Sequence, residues 1–202
     1  MFKSIICFLF AGALLSAAPV NVTLVNPGNG LNDGHYYVGP YTLNVDGDVM
    51  KALCIDPLHD SNPGDHWTAN LTNLSAGASA IPGLSNTYLG NAGLQKYREE
   101  AYLFNLITAP GVDNSDRISI QHAMWNIVDR GFANDASAQG YMDLAENNFG
   151  SINPHYYTIV SDVNHQYQEF MVSDAPEPAS FGLLGLAVFG LGLTQFRKRK
   201  AY

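Results

Sequence analysis

Two apolar segments at the chain ends leave residues 19–175 as the stretch that can build a water-soluble core, the size of one domain. At the N-terminus Lys3 supplies a positive start and Ile5 to Leu15 an apolar run broken only by small residues. Ser16, Ala17 and Ala18 then form a small-residue cleavage zone. This order is that of a secretory signal peptide over residues 1–18, to be removed by signal peptidase. The run is shorter than the roughly 17–25 residues that cross a bilayer. At the other end Ala179 to Phe196 is apolar, Gly-rich and just long enough to span, and Arg197, Lys198, Arg199 and Lys200 follow at once. The positive-inside rule keeps those four charges cytoplasmic and places the domain on the far side of the membrane, in agreement with the N-terminal signal.

Pro176, Glu177 and Pro178 stand directly before the C-terminal span. A plain single-pass anchor accounts for the span and the basic end but has no use for a Pro-Glu-Pro. The combination from Pro176 to Lys200 resembles the PEP-CTERM sorting signal of Gram-negative bacteria. The resemblance implies that residues 176–202 are recognised by an exosortase-type enzyme and removed. The precursor would be anchored in the inner membrane by its C-terminal transmembrane helix. The product would reach the outer envelope or the extracellular, biofilm-type matrix.

Removing the tails changes the domain between them. Of the 18 acidic residues only Glu177 lies in a tail, whereas five of the 10 basic residues do, which leaves 17 against 5 and a formal net charge of −12. Such a domain is not a nucleic-acid binder, since phosphates need basic contacts. The charge suits a well-hydrated exported protein. No ordered calcium loop is present, and Asp56, His59, Asp60 and His66 are too loosely spaced for a usual zinc site. No cofactor is called for. Cys7 leaves with the signal peptide, so Cys54 remains alone in an oxidising compartment. It is a buried thiol acting as a small apolar residue, half of an intermolecular disulfide, or a chemically committed sulfur.

Asn21 to Val25 reads as a strand, and Tyr41–Val45 and Val49–Ile55 as a hairpin turning at Asp46-Gly47-Asp48. Residues 57–93 are rich in Pro, Gly, Asn and Ser and read as a long loop, with a short helical piece near Trp67 to Leu74. Helical spacing follows. Leu94, Tyr97, Ala101 and Phe104 share a face, and Ala109-Pro110-Gly111 stops that helix. Asp113 or Ser115 caps a second helix running to Gly131, and a third covers about Asp135 to Asn147. Tyr156–Ser161 and Gln166–Val172 read as closing strands. The expected class is α+β, a β-sandwich or barrel-like framework with an inserted helical segment.

Two short segments carry potential chemistry. Leu53-Cys54-Ile55-Asp56 ends a strand, and Ile120-Gln121-His122-Ala123-Met124-Trp125 lies in the middle helix, with Gln121 expected at the margin of its buried face. Together they resemble the thioester domains of bacterial surface adhesins, whose two motifs place an aliphatic-flanked Cys followed by Asp, and a Gln followed by Ala, an aliphatic residue and Trp. The resemblance implies a Cys54–Gln121 thioester, formed with loss of ammonia and later opened by an amine or hydroxyl on a surface protein or polysaccharide. Such a protein reacts once, so the expectation is covalent attachment and not enzyme catalysis. Among supporting residues, His122 reads as a surface histidine, the alternative being a proton shuttle or acyl acceptor. Asp56 orients the turn after Cys54, and Trp125 packs over the site. A hydrolase motif is missing, and a cysteine peptidase leaves the Gln121 segment without a task. The competing expectation is a non-covalent structural or carbohydrate-binding matrix protein, with a buried free cysteine and its 11 tyrosines and two tryptophans available for stacking.

Overall fold

The computed structural model describes residues 18–174 except 29, 76–80, 82 and 134. The expected signal peptide and the sorting residues Pro176, Glu177, Pro178 and Arg197–Lys200 lie outside the described residues, as does the C-terminal span. Among the described residues no helix is long and apolar enough to cross a membrane.

Six strands close into an all-antiparallel barrel: β1 (Val20–Asn26), β2 (Tyr41–Val45), β3 (Asp48–Cys54), β4 (His66–Asn73), β5 (Tyr157–Asp162) and β6 (Phe170–Ser173). Their order around the barrel is β1-β2-β3-β6-β5-β4, with β4 returning to β1. Three helices, α1 (Leu94–Thr108), α2 (Asn114–Val128) and α3 (Ala136–Asn148), are inserted between β4 and β5. The α+β barrel-like expectation agrees with this architecture.

Alternation along the strands sorts the core into two parts. Val22, Leu24, Tyr41, Leu43, Ala52, Cys54, Trp67, Ala69, Val160, Phe170 and Val172 form one cluster together with Trp125 of α2. Their neighbours of opposite parity, Leu53, Ile55, Ile159 and Met171, belong to the second cluster, where the barrel wall packs on Tyr97, Phe104, Ile120, Met124 and other helical residues. Closing the sheet leaves no open edge for pairing with other chains. The β2–β3 hairpin is set by Asp46 (φ 52°) and Gly47 (φ 103°), the pair of positive φ values that a two-residue type I′ turn demands.

Three expectations are corrected. Trp67–Leu74 is no helical piece; β4 occupies it. Trp67, Leu71 and Leu74 fit a helical spacing, but Trp67, Ala69 and Leu71 also alternate. Pairing of His66 to Ala69 with β1 and of Ala69 to Asn73 with β5 holds the segment extended and decides the outcome. Residues 166–168 do not belong to the last strand. The Asp162 carboxylate accepts from the amides of Asn164, Gln166 and Tyr167, holding a turn so that β6 starts at Phe170. The second helix stops at Val128 and not at Gly131. Asn126 Oδ1 accepts from Gly131 and Ala133, and its Nδ2 donates to Ala133 O, which folds the following loop back on the helix. Asp113 is the N-cap of α2 and accepts from the Asp116 amide at 2.8 Å.

Candidate functional site

The two segments singled out in the sequence meet in space. The β2–β3 register pairs Tyr41 with Ala52, so continuing it by one step on each face would put Gly39 opposite Cys54. The ladder ends before that point. The Gln121 carboxamide from α2 occupies the gap. Its Nε2 donates to the Cys54 carbonyl at 2.7 Å, and its Oε1 accepts from the Gly39 amide at 3.4 Å. The side chain thus stands in for a peptide group between two strand ends. Gln121 is fully buried, deeper than the helix-margin position expected from sequence. Gly39 is needed for the approach. A Cβ there would lie 2.5 Å from Leu53 Cδ2 and 3.2 Å from Gln121 Oε1.

Cys54 is a fully buried free thiol. Its Sγ donates to the Asp56 carbonyl at 3.2 Å. Burial pushes the thiol pKa well up, and the Asp56 and Glu100 carboxyls add to that. The Trp125 indole lies against the sulfur and draws its pKa back down a little. The Trp125 N–H has no well-aligned hydrogen-bond partner among the described residues. Trp125 therefore packs over Cys54, and its position four residues after Gln121 puts both side chains on one side of α2.

His122 is not the surface histidine expected. Its Nε2 faces Asp33 Oδ2 at 2.7 Å and its Nδ1 faces Asp135 Oδ2 at 3.1 Å. Asp135 also caps α3 by accepting from the Ser137 amide. Asp33 lies in the β1–β2 connection, where its Oδ1 accepts from the amides of His35 and Tyr36. Burial raises the Asp33 carboxyl pKa, but the Tyr36 amide, His122 and the His35 amide outweigh it and hold it below the usual range. For Asp135, too, burial is outweighed, by Ser119, the Ser137 amide and His122. The connection carrying Asp33 is a cover over the pair: Gly39 binds Gln121, and Tyr36 packs on Trp125 at 5.8 Å between ring centres.

Asp56 orients the chain after Cys54. It is buried, accepts from the Leu58 amide at 2.8 Å, pairs with His59 Nδ1 at 2.6 Å and faces the Glu169 amide at 3.4 Å. The Asp56–His59 pair is close, but no group of three or more His, Cys, Asp or Glu placed to hold a metal ion occurs among the described residues. Behind it sit two buried carboxyls that sequence reading missed. Glu169 accepts from Ser161 Oγ, Tyr97 OH and the Tyr88 amide, and burial raises its pKa. Glu100 is fully buried on α1, and neither oxygen has a partner among the described residues. Burial, then the Glu169 charge, pushes it well above the ordinary carboxyl range. Gly39 and Asp33 were missed as well. The hairpin register alone points to Gly39; no local signal links Asp33 to His122.

The family model for the PEP-CTERM protein-sorting motif matches residues 174–200. The chain is therefore an exported protein, held in the membrane before processing by an exosortase and sorted to the cell surface or matrix. Comparison with curated proteins and with solved structures returns no match. The resemblance of the Cys54 and Gln121 segments to adhesin thioester domains draws no support from these comparisons.

Proposed function

We propose that this exported protein attaches covalently to a nucleophile on a surface protein or polysaccharide through a Cys54–Gln121 thioester. The observation that carries the reading is the seating of the Gln121 carboxamide against Cys54, with both side chains fully buried. The Cys54 sulfur would bond to Gln121 Cδ. The thiol proton would pass to the departing nitrogen, and ammonia would leave. Amides are poor acyl donors, so orientation must supply much of the barrier; fixed geometries are worth about 10⁵–10⁸ M, roughly 7–11 kcal/mol. The Gly39 amide sits where negative charge grows on Oε1 during attack. A thioester is uncharged, so it suits a place where burial disfavours the thiolate. Release would run in the other direction: an amine or hydroxyl bonds to Cδ, the C–S bond breaks, and the thiol regains a proton. Each molecule reacts once, so the protein is no enzyme. Asp56 positions Cys54, Trp125 shields the sulfur, and His122 fastens the cover.

The same geometry favours a second reading. Gln121 satisfies two backbone groups, and the Cys54 thiol already has an acceptor, which is what a structural bridge with a buried free cysteine requires. Intact mass of the exported, processed protein separates the two. The thioester predicts a protein lighter by one ammonia with no titratable thiol; methylamine restores that mass, adds its own, and exposes the thiol. Cys54→Ala and Gln121→Ala each abolish the loss. A full-mass protein whose Cys54 reacts with a thiol reagent on unfolding, without prior amine, returns the assignment to the non-covalent matrix protein.

A further inference from the structure

A pocket of about 320 Å³ opens beside the candidate site, lined by Asp33, His35, Tyr36, His122, Trp125 and Phe132. That is the lower end of the size range of ligand sites, about 300–1,000 Å³. Three of its walls are aromatic rings in mutual contact. Tyr36 and Phe132 are 5.5 Å apart, and Trp125 and Phe132 pack edge to face at 5.6 Å. Asn126 fixes the Phe132 wall by holding the loop around it. Tyr36 and its neighbour Tyr37 remain 48% and 47% exposed, large aromatic surface that folding leaves in water. Trp125 is shared: it lines this pocket and also packs in the same core cluster as Cys54.

We infer that this pocket binds an uncharged sugar residue of a polysaccharide and so presents a hydroxyl acceptor to the Cys54–Gln121 pair. As an acceptor site it rests on the thioester reading; as a binding site it does not. Three observations choose the ligand class. The aromatic faces suit the C–H face of a pyranose ring, while His35, the Tyr36 hydroxyl and the polar edge around His122 suit its hydroxyls. An ammonium group is disfavoured. Both Asp33 oxygens are engaged, by two amides and by His122, and both Asp135 oxygens by the Ser137 amide and His122, so neither carboxylate keeps an unpartnered oxygen to receive it. An acidic polysaccharide is disfavoured by the domain's net charge of −12, counted as 17 acidic against 5 basic residues over 19–175.

The test uses Cys54→Ala protein, which cannot hold a thioester, with the unsubstituted protein opened by methylamine as a second preparation. Each is titrated with maltotriose, cellotriose, cadaverine and an oligogalacturonate, followed by tryptophan emission and by two-dimensional NMR. The expected result is millimolar binding of a neutral trisaccharide that perturbs Trp125 and is weakened about tenfold by Tyr36→Ala. Neither cadaverine nor the oligogalacturonate should compete. The inference is overturned if neither trisaccharide binds either preparation, if Tyr36→Ala leaves the affinity unchanged, or if a charged probe binds more tightly. Intact mass of the unsubstituted protein decides the thioester separately. A full-mass protein that still binds the sugar removes only the acceptor role, and a light protein that ignores it removes only the pocket.

Discussion

Gln121 and Glu100 are both polar, both fully buried, and sit on adjacent helices of the same insert, yet they are treated in opposite ways. The Gln121 carboxamide has a partner at each end, the carbonyl of Cys54 at the end of β3 and the amide of Gly39 just before β2. The Glu100 carboxyl has none among the described residues, and a second buried acid, Glu169, stands near it. A buried polar group with both ends satisfied costs the fold little and fixes one geometry; a buried acid without partners costs stability in any geometry. The difference separates a side chain held in place for a purpose from one whose burial the rest of the core offsets. It also says where substitution should hurt and where it should help.

The largest effect is expected at the satisfied group. Gln121→Leu keeps the apolar volume but strands the Gly39 amide and the Cys54 carbonyl. Urea unfolding should show a loss of about 2–4 kcal/mol, and any ammonia-deficient mass should disappear. A loss well under 1 kcal/mol would mean that the strand ends find other partners, and the comparison would fail. Glu100→Met should act with the opposite sign, raising stability near neutral pH by about 1–3 kcal/mol. Because the folded-state pKa of Glu100 is raised, the wild-type carboxyl is tolerated below its unfolded pKa, about 4.3, and its stability is lost as pH rises toward the folded value. The gain from Glu100→Met should therefore shrink in acid. An equal gain at pH 4 and pH 8 would show that ionisation is not the cause.

The smallest effect concerns the cover. The Asp33 pKa is depressed, so its contribution is present above the unfolded pKa and lost as pH falls through the folded value. Asp33→Asn should cost about 1 kcal/mol at neutral pH and almost nothing near pH 2. If the thioester is present, the same variant should speed its opening by methylamine, as followed by intact mass, because the Tyr36–Gly39 stretch is less firmly held over Gln121. Unchanged opening would show that the cover does not control access.

Much of the fold was legible because its signals are local. The Asp46-Gly47 turn, the Asp113 cap and the stop at Ala109-Pro110-Gly111 each act within a few residues, and each lies where the sequence puts it. β4 was not legible, since Trp67, Leu71 and Leu74 satisfy two periods at once and only pairing with β1 and β5 chooses between them. In the site, Cys54 and Gln121 were recognisable as residue types in a pattern. The depth of Gln121, the clasp on His122, the Gly39 contact and the isolation of Glu100 were not, because each depends on a residue far away in the chain.

The sequence by itself determined the export of this protein. A sorting tail is read by other machinery as a linear pattern, so the motif over 174–200 needs no fold to carry its meaning. It also determined the acidic charge of residues 19–175 and made Cys54 the one cysteine of that stretch, which are matters of counting. What Cys54 lies against was decided by tertiary structure alone. The β2–β3 ladder ends two residue pairs short of Gly39 and Cys54, and α2 fills the opening with Gln121. A contact across that separation is set by strand register and helix packing, neither of which is written in either segment.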